Sequence, residues 1–169
     1  HVLGEIMRLQ RLEVDKLLIA CNTTQFFATE IREALKNDRT ELITISDAVR
    51  NWLEKNREKR IFAAGIGYVT QNSSWSAFQF IHDYENVVTP DEGQSKRLVD
   101  LAYDVKEGGV TPRTYQKLRS IVRTSGCDTF LLLLTELSMI YDIYSMRKFN
   151  DVNIIDSVDL YASHAVDYI

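Results

Sequence analysis

Short apolar runs alternate along this chain with longer amphipathic stretches, and that alternation limits the available folds more than any single motif does. The clearest run, Thr129 to Leu134, reads TFLLLL. It is far shorter than the roughly 20 residues a membrane helix needs, and it suits a strand buried on both faces of a parallel sheet. Further strands are predicted at Lys16 to Ala20, Glu41 to Ile45, Arg60 to Ile66, Asn86 to Thr89 and Val152 to Ile155. Between them come helical spacings: Leu3, Ile6, Leu9 and Leu12, then Phe26, Phe27, Ile31 and Leu35 within Gln25 to Lys36. Ser46-Asp47 offers an N-cap to the helix carrying Val49, Trp52 and Leu53, whose far end runs into the solvated charge run Glu54 to Arg60. Ser74 to Asp83 reads as another helix. Pro90-Asp91 opens a long helix to about Lys106 that Gly108-Gly109 ends, and Thr111-Pro112 opens the next, with Tyr115, Leu118, Ile121 and Val122 on one face. A terminal helix follows from Ser157. The reading is α/β, with mostly parallel sheets flanked by helices. In such sheets ligands sit at the carboxyl ends of strands, here just after Ala20, Ala64, Thr89, Leu134 and Ile155.

With 169 residues, 45% of them apolar, the chain can bury one domain or two small lobes. The net charge of −4, with basic residues scattered among acids, argues against nucleic acid as a partner. No membrane span, signal peptide or anchor is visible. Cys21 and Cys127 are too few for a disulfide framework and lack metal-ligand spacing, which fits a reducing compartment, the cytoplasm by default.

The segment Ala20-Cys21-Asn22-Thr23-Thr24 leaves a strand and enters a helix. Free backbone N–H groups and the positive end of a helix dipole favour an anion there. A thiolate at Cys21 could take a proton or attack a carbonyl carbon, while Asn22, Thr23 and Thr24 offer donors to a carboxylate or oxyanion. Equally, Cys21 could be a small buried packing residue. Gly65-Ile66-Gly67 lacks the third glycine and downstream acid of a dinucleotide site. His82 and His164 read as exposed helical residues, Tyr141, Tyr144 and Tyr161 as packing groups with hydroxyls at water, and Trp52 and Trp75 as core or interface anchors.

Cys21-Asn22-Thr23 after an apolar strand resembles the first cysteine motif of the aspartate/glutamate racemase superfamily. Those racemases need no cofactor, and remove and return a Cα proton with two facing thiols. Further blocks follow in the family order. ELITISDAVRN at Glu41 to Asn51 looks like the strand-and-helix segment after the first cysteine, and Arg60 to Gly65 like the opening strand of the second lobe. VTPDEGQSKRLVDLAYDVKEGG at Val88 to Gly109 is similar to the segment whose helix ends in K-x-G. GCDTFLLLLTEL at Gly126 to Leu137 resembles G-A-D-A-V-I-L-G-C-T-E-L, which carries the second catalytic cysteine. IIDSVDLYASHAV at Ile154 to Val166 resembles the closing D-S/T-x-x-x-H-A segment.

The resemblance implies two small pseudo-symmetric lobes, residues 1–55 with 155–169 and residues 56–154, with the site between them and the first lobe incomplete at its N-terminus. It implies an isomerase acting on an acidic amino acid without metal or pyridoxal phosphate, with Cys21 as acid/base and Asn22, Thr23, Thr24 and Thr135 holding the substrate. Thr135 could equally cap the following helix. A homodimer is a common family state. The departures are specific. Leu134 stands where the second thiol belongs, Cys127 falls seven positions earlier and reads as structural, Gln25 and Tyr161 replace histidines, and the family's N-terminal strand with its glycine-rich turn has no counterpart. Two-base racemisation needs a group on each face of Cα, so Leu134 leaves one-sided chemistry at Cys21. The competing expectation is a racemase-like protein without catalysis that binds a small carboxylate or a protein partner.

Overall fold

The computed structural model describes residues 2–22, 24–35, 39–72 and 74–166. In chain order the elements are α1 (Val2–Gln10), β1 (Lys16–Leu18), a 3-10 turn (Thr24–Phe27) continuing into α2 (Ala28–Leu35), β2 (Glu41–Ile43), α3 (Ile45–Glu54), β3 (Ile61–Ala64) and the short α4 (Gly67–Thr70). A 3-10 turn (Gln79–Asp83) and β4 (Val87–Val88) follow, then α5 (Glu92–Gly108), α6 (Pro112–Arg123), β5 (Thr129–Leu132), α7 (Thr135–Ile143), β6 (Lys148–Phe149), β7 (Val152–Asp156) and α8 (Ser157–Val166).

The strands form two sheets. β1 and β2 pair in parallel, Leu17 opposite Leu42, over a small core of Ile6, Leu17, Ile31, Leu35 and Leu42. The larger sheet has the order β4-β3-β5-β7-β6, parallel except for the β6–β7 hairpin, a strand the sequence pattern did not suggest. Each of β3 and β5 is buried on both faces, as a near-continuous apolar run requires. Phe62 and Phe130 lie opposite one another in register and stack at 5.1 Å with no exposed surface. β7 pairs with β5 as far as Asp156, so this strand continues in the larger sheet past residue 154, where the sequence suggested a lobe boundary.

Helix starts follow local chemistry where a side chain can reach the free N–H groups. Asp91 with Gln94, and Thr111 with Thr114, close reciprocal capping boxes on α5 and α6. Gly109 ends α5 at φ 70°, a conformation that favours glycine. α3 corrects the expectation: its cap is Thr44, whose hydroxyl accepts from the Asp47 N–H at 3.2 Å, and Ser46 already lies inside the helix. The helix expected over Ser74 to Asp83 is reduced to the turn at its end.

In the larger sheet the chain leaves β3 toward β4 on one side and returns to β5 on the other. The carboxyl ends of β3 and β5 therefore border the crevice where open α/β sheets bind ligands. Gly65 lets α4 fold back tightly onto the end of β3: a Cβ there would stand 2.7 Å from Thr70 Cγ2.

Candidate active site

The small sheet presents its carboxyl ends through Ile19 to Asn22. The Cys21 N–H donates to the Ile19 carbonyl at 2.9 Å, and the Cys21 carbonyl accepts from the Gln25 N–H at 3.3 Å, so the residue sits on a tight turn. Its side chain is exposed, which removes the reading of Cys21 as a buried packing residue. Cys127 is the buried thiol; its Sγ lies 3.5 Å from the Ser125 carbonyl, and burial pushes its pKa up.

Gln25 and Tyr161, the two positions where the resemblance led one to expect histidine, brace this turn. The Gln25 amide donates to the Ile19 carbonyl at 2.7 Å and accepts from the Ile45 N–H at 3.2 Å. The Tyr161 oxygen accepts from the Ile19 N–H at 3.0 Å, and its hydroxyl donates to the Ile43 carbonyl at 2.6 Å. Both side chains are buried, so the expectation that the Tyr161 hydroxyl meets water does not hold, and burial raises its pKa. A β1–β2 pair three residues long is anchored in this way to α3 and α8.

Asn22 is 4% exposed and reaches Ser157, at the end of β7, through a long 3.5 Å contact from Nδ2 to Oγ. The carboxyl ends of the two sheets thereby meet. The Asn22 Oδ1 is buried without a partner. Buried polar atoms are nearly always paired, so an orphan beside a cavity marks a position where a ligand can complete the set. Such a cavity is present: about 330 Å³, walled by Asn22, Phe26, Phe27, Tyr68, Val69, Trp75, Ala77 and Phe78. Phe26 stacks on Trp75 at 5.5 Å and meets Phe27 edge-on at 5.1 Å. Trp75 is 72% exposed, so it is a rim residue and not a core anchor; Trp52 is the one that packs on the core.

Of the other expected site residues, Thr24 opens the 3-10 turn after Cys21, half-buried, and Thr23 lies outside the described residues. Thr135 stands at the end of β5, half-buried, as the first residue of α7. The cap of that helix is Leu134, which makes no side-chain cap bond, so Thr135 is not a capping residue. Leu134 itself is 5% exposed. Neither Cys21, Thr24 nor Thr135 belongs to the described cavity wall; Asn22 does. At the neighbouring strand end, Asp156 Oδ1 accepts from the Ser138 hydroxyl at 2.7 Å and the Val158 N–H at 3.0 Å, and burial raises the Asp156 pKa. His82 sits in the second 3-10 turn with Nε2 2.8 Å from the Thr70 carbonyl.

Solved structures of similar fold superpose on nearly the whole chain. A candidate Asp/Glu racemase from Yersinia pestis superposes with a TM-score of 0.74 at 17% identity, covering 99% of this chain and 71% of that one. The aspartate racemase of Picrophilus torridus gives 0.72 at 20% identity, covering 98% and 67%. The glutamate racemase of Campylobacter jejuni gives 0.69 at 15%, covering 99% and 66%. The chain has the fold of the aspartate/glutamate racemases. No model of a known protein family matches it, and no curated protein does. That fold matches the mostly parallel sheets with helices on their faces. Among the described residues no helix is long and apolar enough to cross a membrane, and no three metal-ligating side chains gather.

Of these features, Cys21 and Asn22 were legible beforehand from the strand-to-helix junction. The Gln25–Tyr161 brace, the Asn22–Ser157 meeting and the aromatic cavity were not, because each joins residues far apart in sequence. The replaced histidines marked two of these positions without showing their structural use.

Proposed function

We propose that this chain is a racemase-like protein whose Cys21 thiol carries out one half of the isomerase reaction, taking and returning a Cα proton of an amino acid, an acidic one by the resemblance, without a cofactor. The observation that carries the reading is an exposed thiol on a braced turn, directly before a buried amide with an unpaired polar atom. The Cys21 thiolate accepts the proton, the C–H electrons move into the substrate carboxylate, and the same thiol returns a proton to that carbon. Asn22, Thr23, Thr24 and Thr135 hold the carboxylate, whose charge grows as the proton leaves. With Leu134 in place of a second base, the proton leaves and returns on one face, so exchange proceeds without inversion.

A second reading has its own support. Leu134 is buried at the end of β5, an arrangement suited to a protein that keeps the fold to bind a small carboxylate or a protein partner. Proton–deuterium exchange at Cα of L- and D-aspartate, glutamate and phenylalanine in D2O decides between them. The thiol-base reading expects exchange of one enantiomer, retained configuration, and a loss of at least about a hundredfold in Cys21→Ala, as for removal of a general acid–base group. No exchange, or exchange indifferent to Cys21→Ala, refutes it.

A further inference from the structure

We infer that the ligand of the Asn22 cavity has an apolar, flat body in place of a second carboxylate; this rests on the proposed site at the end of β1 and departs from the acidic substrate class that the resemblance implies. The described wall contains no arginine, lysine or histidine. Lys106, which lies close enough to Tyr68 to feel its hydroxyl, is already paired with Glu136 at 3.1 Å. A carboxylate pushed among Phe26, Trp75 and Phe78 would lose its water without gaining a cation, which apolar surroundings penalise heavily. An aromatic ring loses nothing there. It gains the faces of a stacked Phe26–Trp75 pair and the edge of Phe27, in a space of 330 Å³ that is at the small end of ligand pockets.

The amide of Asn22 sets the polar end. Ser157 Oγ serves one of its two polar groups, whichever way the amide is turned, and the other stays unpaired. The α-ammonium and α-carboxylate of an amino acid supply a donor and an acceptor together, so a zwitterion with an apolar side chain completes the amide in either orientation. Trp75, at 72% exposure, is left as an uncovered ring at the mouth, which a bound aromatic body would cover.

The test is calorimetric titration of the intact chain with L- and D-phenylalanine, phenylacetate, and L- and D-aspartate, with Trp75 fluorescence read in parallel. One enantiomer of phenylalanine should bind at least about tenfold more tightly than aspartate, and Phe26→Ala and Trp75→Ala should each weaken it several-fold, in line with one lost ring contact. Trp75→Ala removes a ring that is mostly in solvent, so that variant retains its fold and keeps the comparison valid. Aspartate binding as tight as that of phenylalanine, or phenylalanine binding unchanged in both variants, overturns the inference. The same titration in Cys21→Ala separates it from the thiol chemistry. Phenylalanine bound there, with no Cα exchange of phenylalanine, aspartate or glutamate in the parent protein, leaves the cavity assignment standing and removes the thiol-base reading. Exchange of aspartate with no binding of phenylalanine does the reverse.

Discussion

Replacing Tyr161 by phenylalanine isolates the brace that fixes the Cys21 turn. The substitution keeps the ring, which is 4% exposed, and removes one hydroxyl. Two hydrogen bonds go with it, from the Ile19 N–H at 3.0 Å and to the Ile43 carbonyl at 2.6 Å. An ordinary buried hydrogen bond contributes about 1 kcal/mol net, and a buried group left unpaired adds to that loss, so the total is about 2–3 kcal/mol. For a chain of 169 residues the unfolding entropy is about 0.35 kcal/mol/K, which converts the loss to a fall of about 6–8 °C in Tm. Urea unfolding and thermal melts followed by circular dichroism measure both. Burial also sets a pH signature. The folded protein holds the Tyr161 phenol above the ordinary value of 10.0, so the unfolded chain ionises first. The stability this group contributes is present below about pH 10 and is lost as pH rises through the folded value, so parent and variant converge in alkali. A loss smaller than about 0.5 kcal/mol at pH 7 would refute the brace, since it would mean water or a neighbour already serves both backbone groups.

Asp156→Asn should stabilise the protein at pH 7, because Oδ1 of asparagine can still accept from Ser138 and Val158 while no charge is buried. Burial raises the Asp156 pKa above 3.8, so its contribution is present below that value and is lost as pH rises through the folded one; urea midpoints at pH 4 and pH 8 should converge in the variant. Phe130→Ala removes a fully buried ring from the Phe62 stack and should cost about 3–5 kcal/mol in equilibrium unfolding, more than any exposed substitution. Thr44→Ala takes away the cap of α3 and should cost about 1 kcal/mol, whereas Ser46→Ala, inside the helix, should cost less in the same assay.

How far the sequence reached can be followed residue by residue. TFLLLL at Thr129 was legible as a doubly buried strand because an apolar run of that length has few other uses, and Thr111-Pro112 and Asp91 were legible as helix starts because their chemistry is local. The Thr44 cap and the β6–β7 hairpin were missed: one depends on where β2 stops, and in the other a two-residue β6, too short to show an alternating pattern, is joined to β7 by the tight Asn150-Asp151 turn with Asn150 at φ 52°.

The sequence by itself determined the alternation of strand and helix, the parallel character of the sheets and the junction that carries Cys21, since each follows from periodicity or capping within a few residues. Only the tertiary structure decided that Gln25 and Tyr161 both hold the Ile19 backbone beside the Cys21 turn, that Asn22 from the small sheet meets Ser157 from the large one, and that Phe26 stacks on Trp75 to wall a cavity. Those partners lie tens to more than a hundred residues apart, and no local preference encodes their meeting. It comes from burying two apolar cores at once, which leaves the polar groups between them to pair with whatever the packing brings within reach.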